Sequence, residues 1–395
     1  MIRHDRNTVG IRRKQGGGFR RLGALVFVFA VAAAFSLGIF AEWDWEPQAR
    51  SAILMEAHTG EVLFERNADE ALPPASVTKV MTLLLVMEAV DSGKISMSDQ
   101  VQISEHAASM GGSQIFLEVG ETMTVEELVK SVVVASANDA AVALAEFTEG
   151  SEAAFVDRMN ERAAQLGMKN THFENTNGLD DNVTNHVTSA RDIAIMSAEL
   201  MRHPDIFRFT TIWQDTVRNG AFTLTNTNRL IRFYRGATGL KTGSTSKAGY
   251  CISATAERDG VSLIAVVMGS PTRDVRNAVA KQMLDYGFSR VSYYRDAGCE
   301  VGSIPVRGSC EKNVTLISSD FGVLLEKGES GKVERIVEMP ESVSAPVHTG
   351  DVLGRVVYRV GDREVGTVEL TAGNDVERIG FGQLLFRIFR AFAIS

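Results

Sequence analysis

Between Ser76 and Val90 the chain is apolar on nearly every side of a helical projection. A helix with that pattern lies in the interior of a domain. Lys79 is its only charge before Glu88. Burial disfavours the charged ammonium form and moves the pKa of a lysine towards neutrality. The segment therefore predicts a central buried helix whose first turn carries an amine able to act as a base.

The patterns on either side of this helix predict one domain that mixes helices and strands. Apolar runs at 51–56 and 61–66 flank a Gly-containing turn, which is typical of a β-hairpin. Further strands are expected at 250–256 and 261–268, and helices near 124–147, 151–167, 189–202 and 274–287. Strands from both ends would share one sheet. We therefore predict an α+β domain over residues 45–292.

Residues 294–376 have a different sequence pattern, in which short β-rich runs alternate with turns. This pattern predicts a small all-β domain without a catalytic cluster. The formal net charge of −8 argues against a nucleic-acid partner. Three cysteines, Cys251, Cys299 and Cys310, are too few for a disulfide scaffold, and whether Cys299 pairs with Cys310 stays open. The chain has no zinc motif, P-loop or dinucleotide fingerprint, so no metal and no cofactor is expected.

Both ends of the chain carry membrane signals. Residues 1–41 join a basic segment to an apolar run that begins at Leu22, which fits either a secretory signal peptide or an uncleaved N-terminal anchor. Residues 378–395 predict an amphipathic helix that lies in the membrane interface or packs on its own β domain. The body is therefore expected outside the cytoplasmic membrane, attached peripherally to its outer face. The predicted apolar face of the tail comprises Phe381, Leu384, Leu385, Ile388, Phe389 and Phe392, opposite Gln383, Arg387 and Arg390.

Ser76 and Lys79 form a Ser-x-x-Lys pair whose side chains lie on one face of a helix. A serine hydroxyl is a weak nucleophile and needs an adjacent base. A lysine with a lowered pKa is such a base. The tetrad alone is not diagnostic, because it recurs at Ser244–Lys247 and Ser309–Lys312.

Two further motifs follow in order. Ser136-Ala-Asn138 lies in an alanine-rich apolar stretch and offers a hydroxyl for proton transfer and an amide for substrate. Lys241-Thr-Gly243 precedes the predicted strands. Its lysine offers a positive charge to a carboxylate, and Gly243 allows a backbone to approach closely. Three motifs with this order and spacing indicate a serine acyl-transfer site.

This set is the signature of penicillin-binding proteins and serine β-lactamases. The flanking stretches, among them Pro73-Pro-Ala-Ser-Val-Thr-Lys79 and Asn175-Thr-Asn-Gly-Leu179, resemble low-molecular-mass D-alanyl-D-alanine carboxypeptidases of the peptidase S11 type. The resemblance runs from about residue 48 to the C-terminus. It implies a transpeptidase-type domain, with an antiparallel sheet and helices, followed by a small all-β domain and an amphipathic tail.

The resemblance also implies roles in acyl transfer. Ser76 would attack the carbonyl between the two terminal D-alanines of a peptidoglycan stem peptide, and Lys79 would accept its proton. Ser136, assisted by Lys241, would relay a proton to the leaving nitrogen. Water would then hydrolyse the acyl-enzyme. β-Lactams would acylate Ser76 in the same way.

Binding roles follow from the same resemblance. Asn138 would hold the penultimate amide of the substrate. The backbone N–H groups of the nucleophile and of Ser244 would form the oxyanion hole. Thr242 and Arg276 would bind the terminal carboxylate, with Arg273 as a rival to Arg276.

Three alternatives stay open from the sequence. A secreted serine β-lactamase of class A needs a glutamate for deacylation, and Glu174 lies in the corresponding part of the chain. A relative acting as endopeptidase or transpeptidase would differ only in the group that leaves or accepts. A catalytically silent wall-associated scaffold would keep the fold without the activity.

Overall fold

The computed structural model describes residues 45–181, 183–383, 385–386 and 389. The predicted signal or anchor at 1–41 lies outside the described residues, as do Leu384, Arg387, Ile388, Arg390 and Phe392 of the predicted tail. The described chain divides into two compact units, and the boundary between them along the chain falls between Arg290 and Val291.

The sheet of the first unit has the order β2-β1-β9-β8-β7 and is antiparallel throughout. The chain-terminal strands of the unit therefore pair with each other, as the sequence predicts. Two short hairpins, β3–β4 and β5–β6, lie outside this sheet. The strands are β1 (Ser51–Glu56), β2 (Val62–Arg66), β3 (Gln100–Gln102), β4 (Thr122–Thr124), β5 (Gln214–Val217), β6 (Phe222–Thr225), β7 (Ala237–Thr245), β8 (Gly249–Arg258) and β9 (Val261–Ser270).

The helices of this unit surround α1, which begins at Lys79 and ends at Asp91. It packs against α4 and α6, and its side chains from Val80 to Met87 are buried all round, as the apolar pattern predicts. Burying one such aliphatic side chain contributes about 1.5–3 kcal/mol. The helices are α1, α2 (Glu105–Ala108), α3 (Val125–Val134), α4 (Asn138–Glu149), α5 (Glu152–Gln165), α6 (Ala190–Met201), α7 (Phe207–Thr210), α8 (Leu230–Phe233) and α9 (Arg273–Arg290), with 3₁₀ turns at Ala75–Thr78 and Pro204–Ile206.

The single helical segment expected near 124–147 is two helices. Thr124 begins α3 with a capping box, in which its side chain accepts from the Glu127 N–H and the Glu127 carboxylate accepts from the Thr124 N–H. The helix ends at Val134, and α4 starts at Asn138. Ser136 lies in the break with a φ of 64°, a left-handed conformation that a helix excludes. The break places Ser136 and Asn138 at a helix junction.

The second unit, from Val291 onwards, is built around a sheet of order β14-β16-β17-β12-β11-β15 and a separate β10–β13 pair. Tyr358 is fully buried in it, stacks on Phe321 with ring centroids 3.9 Å apart, and donates to Asp296. Cys299 and Cys310 are exposed and unpaired. The strands are β10 (Val291–Asp296), β11 (Glu300–Arg307), β12 (Asn313–Ser318), β13 (Phe321–Glu326), β14 (Val333–Glu338), β15 (Val343–Ser344), β16 (Val352–Val360) and β17 (Arg363–Ala372), with a 3₁₀ turn at Ser330–Lys332.

Among the described residues, no helix combines the length and the apolar character that crossing a membrane requires.

Candidate active site

Ser76 and Lys79 meet at the N-terminal end of α1. Ser76 lies in the 3₁₀ turn that leads into the helix, and Lys79 is the first residue of the helix itself. Lys79 Nζ is 3.0 Å from Ser76 Oγ. Ala75, just before the nucleophile, has a φ of 48°, a strained value for a residue with a Cβ. The predicted nucleophile and base are therefore in hydrogen-bond contact.

The amine of Lys79 has two further partners. Nζ donates to Asn138 Oδ1 at 2.6 Å and to the backbone carbonyl of Asn177 at 2.7 Å. Burial lowers the pKa of Lys79 well below its usual value, the charge of Lys241 lowers it further, and Asp139 opposes the shift. A neutral amine has two N–H donors and one lone pair. In the neutral form of Lys79 these two oxygens, which can only accept, would receive both N–H groups and leave the lone pair to the hydroxyl of Ser76.

The loop that carries Asn177 is held against the nucleophile by close packing. Gly178 has a φ of 84°, and a Cβ there would lie 1.9 Å from the Ala75 carbonyl oxygen. His186 also stabilises this loop through a hydrogen bond, because its Nδ1 accepts from the Glu174 N–H at 2.9 Å. The other nitrogen, Nε2, therefore carries the proton and donates to Thr78 Oγ1 at 2.7 Å. Burial lowers the pKa of His186 to about 4, which keeps the ring neutral.

Ser136 and Lys241 form a second hydroxyl–amine pair. Lys241 Nζ donates to Ser136 Oγ at 2.8 Å and to the Thr242 carbonyl at 2.9 Å. The side chain of Lys241 is fully buried, and burial together with the charge of Arg276 lowers its pKa to about 7. Ser136 is thus connected to a group that can give or take a proton near neutral pH.

Strand β7 runs directly beside the nucleophile. A Cβ at Gly243 would lie 2.7 Å from the backbone nitrogen of Ser76 and 2.9 Å from that of Val77. Only a glycine permits this approach. The predicted oxyanion donors, the N–H groups of Ser76 and Ser244, are therefore brought to one edge of the sheet, and both residues line the cleft.

Asn138 makes its observed contacts with protein groups. Besides accepting from Lys79, its side chain donates through Nδ2 to the Gly111 carbonyl at 2.7 Å, and its backbone N–H donates to the Ser113 carbonyl at 2.7 Å. The next residue, Asp139, is fully buried and accepts from the N–H groups of Ile115 and Leu117. Asn138 therefore positions the base, a contact that sequence reasoning did not include.

A cleft of about 410 Å³ opens beside Ser76. Both candidate carboxylate ligands line it. Arg276 is buried, donating to the Cys251 carbonyl and to Asn277 Oδ1, and burial lowers its pKa to about 10. Arg273 is exposed. The lining comprises Ser76, Ser113, Ser136, Trp213, Thr225, Asn226, Thr227, Arg229, Thr242, Gly243, Ser244, Arg273 and Arg276.

The predicted residues thus come together from distant parts of the chain, while several lining residues were missed. Asn177 belongs to a stretch that the family resemblance pointed to without a role for its carbonyl. Trp213 and the residues from Thr225 to Arg229 had no motif to mark them. Glu174, considered as a deacylating base, instead accepts from the N–H groups of Thr184 and Asn185. Across the described residues, His, Cys, Asp and Glu side chains nowhere gather in a group that could hold a metal ion.

Two juxtaposed serine–lysine pairs beside an antiparallel sheet define a serine acyl-transfer site of the penicillin-binding class. A family model described as D-alanyl-D-alanine carboxypeptidase, peptidase S11, matches residues 40–272, and one described as penicillin-binding protein 5, C-terminal domain, matches 292–378. The chain belongs to the peptidase S11 family of D-alanyl-D-alanine carboxypeptidases. The predicted family is confirmed.

Curated relatives match along most of the chain. The D-alanyl-D-alanine carboxypeptidase DacF of Bacillus subtilis is 42% identical over 383 residues, 93% of this chain and 97% of that protein. DacA of Haemophilus influenzae is 34% identical and covers 91% of this chain and 95% of its own length.

Solved structures agree in fold. Penicillin-binding protein 5 from Haemophilus influenzae superposes with a TM-score of 0.70 and 33% identity, covering 86% of this chain and all of that one. Penicillin-binding protein D2 from Listeria monocytogenes in its ampicillin-bound form has a TM-score of 0.56 and 33% identity, covering 61% and 98%. The predicted fold, a transpeptidase-type α+β domain followed by a small all-β domain, is confirmed.

Proposed function

We propose that this protein is a serine-type D-alanyl-D-alanine carboxypeptidase that removes the terminal D-alanine from peptidoglycan stem peptides through an acyl-enzyme at Ser76. The observation that carries the proposal is the contact between Ser76 Oγ and the buried amine of Lys79, whose pKa burial holds well below its usual value. The relatives that match along the chain are named as enzymes of this activity.

The acylation step follows from the two serine–lysine pairs. Ser76 Oγ attacks the carbonyl between the two D-alanines while its proton passes to Lys79. The N–H groups of Ser76 and Ser244 stabilise the oxyanion, a contribution of about 3 kcal/mol per donor. Ser136, hydrogen-bonded to Lys241, protonates the leaving nitrogen, and D-alanine departs. Water then attacks the ester: its hydroxyl bonds to the acyl carbon, and its other proton passes to the Ser136–Lys241 pair, which replaces the proton given to the leaving nitrogen. The bond between the acyl carbon and Ser76 Oγ breaks, and Lys79 returns its proton to Ser76.

Substrate binding places the terminal carboxylate against Thr242 and Arg276, with the exposed guanidinium of Arg273 at the mouth of the cleft. Asn138 acts mainly through Lys79, since its amide already holds the base. β-Lactams present an amide carbonyl next to a carboxylate in the same arrangement, so they acylate Ser76 and inhibit the enzyme. The ampicillin-bound form of the similar Listeria monocytogenes protein supports this inhibition.

The residue patterns of the two chain ends motivate a proposal for the location. We propose that the enzyme is exported and lies peripherally on the outer face of the cytoplasmic membrane, with residues 378–395 in the interface and residues 294–376 as a spacer. The exposure of Phe381, Leu385, Phe386 and Phe389 supports an interfacial tail. A chain without residues 1–41 should bind anionic vesicles less tightly after Phe389→Ser, on the predicted apolar face, than after Phe386→Ser, off that face. Equal binding of the two variants would contradict the helix orientation.

The test of the activity measures free D-alanine released from diacetyl-Lys-D-Ala-D-Ala. The wild type should release it, whereas Ser76→Ala and a penicillin-treated sample should not. Ser309→Ala is the matched control, because Ser309 starts another Ser-x-x-Lys tetrad in the C-terminal unit. Release that survives in Ser76→Ala would refute the acyl-enzyme, and rapid turnover of penicillin without release would indicate a β-lactamase.

A further inference from the structure

Asp139 is a buried carboxylate that the acylation mechanism does not use. It lies in the first turn of α4, directly after Asn138, and its side chain is fully buried. Burial removes the water that stabilises a charge, so a buried carboxylate needs hydrogen-bond donors from the protein. Asp139 accepts from the N–H groups of Ile115 at 3.1 Å, Leu117 at 3.1 Å and Ala140 at 2.9 Å. The carboxylate is thus held by backbone donors.

One peptide group joins Asp139 to a nearby ion pair. The N–H of Leu117 donates to Asp139. The carbonyl of the same peptide group, that of Phe116, accepts from Arg218 Nη2 at 3.1 Å. Arg218 in turn makes two hydrogen bonds to the Glu121 carboxylate, at 2.6 and 2.9 Å. Hydrogen bonds to charged groups are about twice as strong as neutral ones, and here they hold Phe116 at a φ of 58°, a strained value for a residue with a Cβ.

The chain just before this peptide group fixes Asn138. The Gly111 carbonyl accepts from Asn138 Nδ2, and the Ser113 carbonyl accepts from the Asn138 N–H, each at 2.7 Å. Asn138 Oδ1 in turn contacts Lys79 Nζ at 2.6 Å. A shift of the chain that Asp139 holds is therefore passed to the base through one amide side chain.

Asp139 also acts on Lys79 through its charge. The groups that face Lys79 are Lys241 from β7, Asp139 from α4 and the neutral ring of His186 beside the loop that carries Asn177. Burial lowers the pKa of Lys79, Lys241 lowers it further, and the negative charge of Asp139 raises it. Without that negative charge the pKa of Lys79 would be lower still, so a larger fraction of the amine would be neutral at acid pH.

We propose that Asp139 is a positioning residue for acylation, because its buried carboxylate holds the chain that fixes Asn138 and places a negative charge behind Lys79. It acts through these two residues rather than on the substrate. The Ser-x-Asn motif marks Ser136 and Asn138 and ends just before this residue. The inference rests on the proposed function, since its readout is the acylation of Ser76.

The experiment measures the second-order rate constant for acylation of Ser76 by a fluorescent penicillin between pH 8 and pH 5. Acylation requires a neutral Lys79, so the rate constant should fall as the pH drops through the pKa of that amine. Asp139→Asn has the same shape without the charge, but its NH2 group cannot accept from a backbone N–H. We expect its rate constant at pH 8 to be about tenfold below that of the wild type, because Asn138 is less well fixed.

The pH dependence separates the charge of Asp139 from its shape. The ratio of the rate constant of Asp139→Asn to that of the wild type should rise at least about threefold from pH 8 to pH 5, because the variant keeps more of Lys79 neutral. A purely structural defect would leave this ratio flat. Titration of Lys241 near pH 7 occurs in both proteins, and the pH range stays above the pKa of His186, which is about 4.

Two further variants test each half of the inference. Asp192→Asn is the matched control, because Asp192 is also a buried carboxylate in the first turn of a helix, α6, and accepts from the backbone N–H of Asn170. This variant should acylate with the pH dependence of the wild type. Arg218→Met removes the other charge on the Phe116 carbonyl and leaves Asp139 in place, so it should lower the rate constant about threefold at every pH.

The outcomes separate this inference from the proposed function. A flat ratio for Asp139→Asn, or an equal rise for Asp192→Asn, overturns the inference and leaves the acyl-enzyme intact. Asp139→Ser is a second neutral variant that gives the same readout where thermal unfolding shows that Asp139→Asn has not folded. An acylation rate that Arg218→Met leaves unchanged overturns the positioning role. A wild type that penicillin does not label at any pH overturns both proposals.

Discussion

Replacing Gly243 by alanine should separate the stability of the fold from the reactivity of Ser76. The φ of Gly243 is not in the left-handed region, so alanine is conformationally allowed there. The added Cβ would lie 2.7 Å from the Ser76 backbone nitrogen, whereas ordinary contacts begin at 3.4 Å. The three nearest atoms are the backbone nitrogens of Ser76 and Val77 and the Cβ of Ala75, and no side-chain rotation moves any of them. Strand β7 and the nucleophile turn must therefore separate by about 0.7 Å, the difference between those two distances.

The separation of β7 from the turn that carries Ser76 displaces groups that take part in acylation. It shifts the N–H groups of the proposed oxyanion hole relative to the carbonyl under attack. A misplacement near 1 Å costs up to about 100-fold in rate, so a shift of this size should slow acylation about 10- to 100-fold, equivalent to about 1.4–2.7 kcal/mol. Folding stability should fall by less than about 2 kcal/mol, because the core below β7 keeps its side chains.

The assay is the second-order rate constant for acylation of Ser76 by a fluorescent penicillin, measured beside the thermal unfolding midpoint. Gly331→Ala is the control for a general glycine effect, because Gly331 lies in the C-terminal unit and a Cβ there meets nothing within 4 Å. That variant should acylate at the wild-type rate. Acylation of Gly243→Ala within twofold of wild type would refute the reasoning that the close approach of β7 controls the nucleophile.

Three further predictions concern the charged and titratable groups around the cleft. The pKa of Lys241 is about 7 in the folded state and 10.5 in the unfolded chain, so between these values the unfolded state binds more protons and folding stability rises with pH. From pH 7 to pH 9 the free energy of unfolding of the wild type, measured in urea, should therefore rise by about 2 kcal/mol relative to that of Lys241→Met. The absence of this rise would contradict a buried amine at Lys241. His186 has its pKa lowered from 6.5 to about 4, so stability is lost as pH falls through that window, and the wild type should lose about 2 kcal/mol relative to His186→Gln between pH 7 and pH 4.5. Arg276→Ala should raise the KM for the tripeptide about tenfold and lower the unfolding midpoint, whereas Arg273→Ala should raise KM alone, because only the Arg276 guanidinium is buried and hydrogen-bonded to the protein. Equal effects on the midpoint would contradict that difference.

The elements and the nucleophile could be predicted because their signals are local. Ser76 and Lys79 are three residues apart, so their contact follows from the geometry of one turn. The apolar run after Lys79 predicts its burial and therefore the direction of its pKa shift. The strands at both ends of the unit were predicted from hydrophobic runs and turns, and they pair in one sheet.

Contacts made by backbone atoms and local backbone conformations leave no recognisable pattern in the sequence. The carbonyl of Asn177 accepts a hydrogen bond from Lys79 Nζ, yet every residue has a carbonyl, and these two residues lie 98 positions apart. The left-handed φ of Ser136 falls within a stretch that the sequence predicts as helical, because the alanines beside and after it, at 135, 137, 140 and 141, favour helices. Trp213 and Thr225, at the two ends of the β5–β6 hairpin, line the cleft but carry no catalytic motif.

The sequence by itself determined which side chains carry the chemistry, the order in which they occur, and the family to which the chain belongs. Only the tertiary structure decided that Lys79 Nζ contacts Asn138 Oδ1 and the Asn177 carbonyl as well as Ser76 Oγ. It also decided that Trp213 and Thr225 line the same cleft as Ser76. The physical reason is that these distances depend on how a shared core packs distant segments together, whereas a residue pattern records only neighbours along the chain.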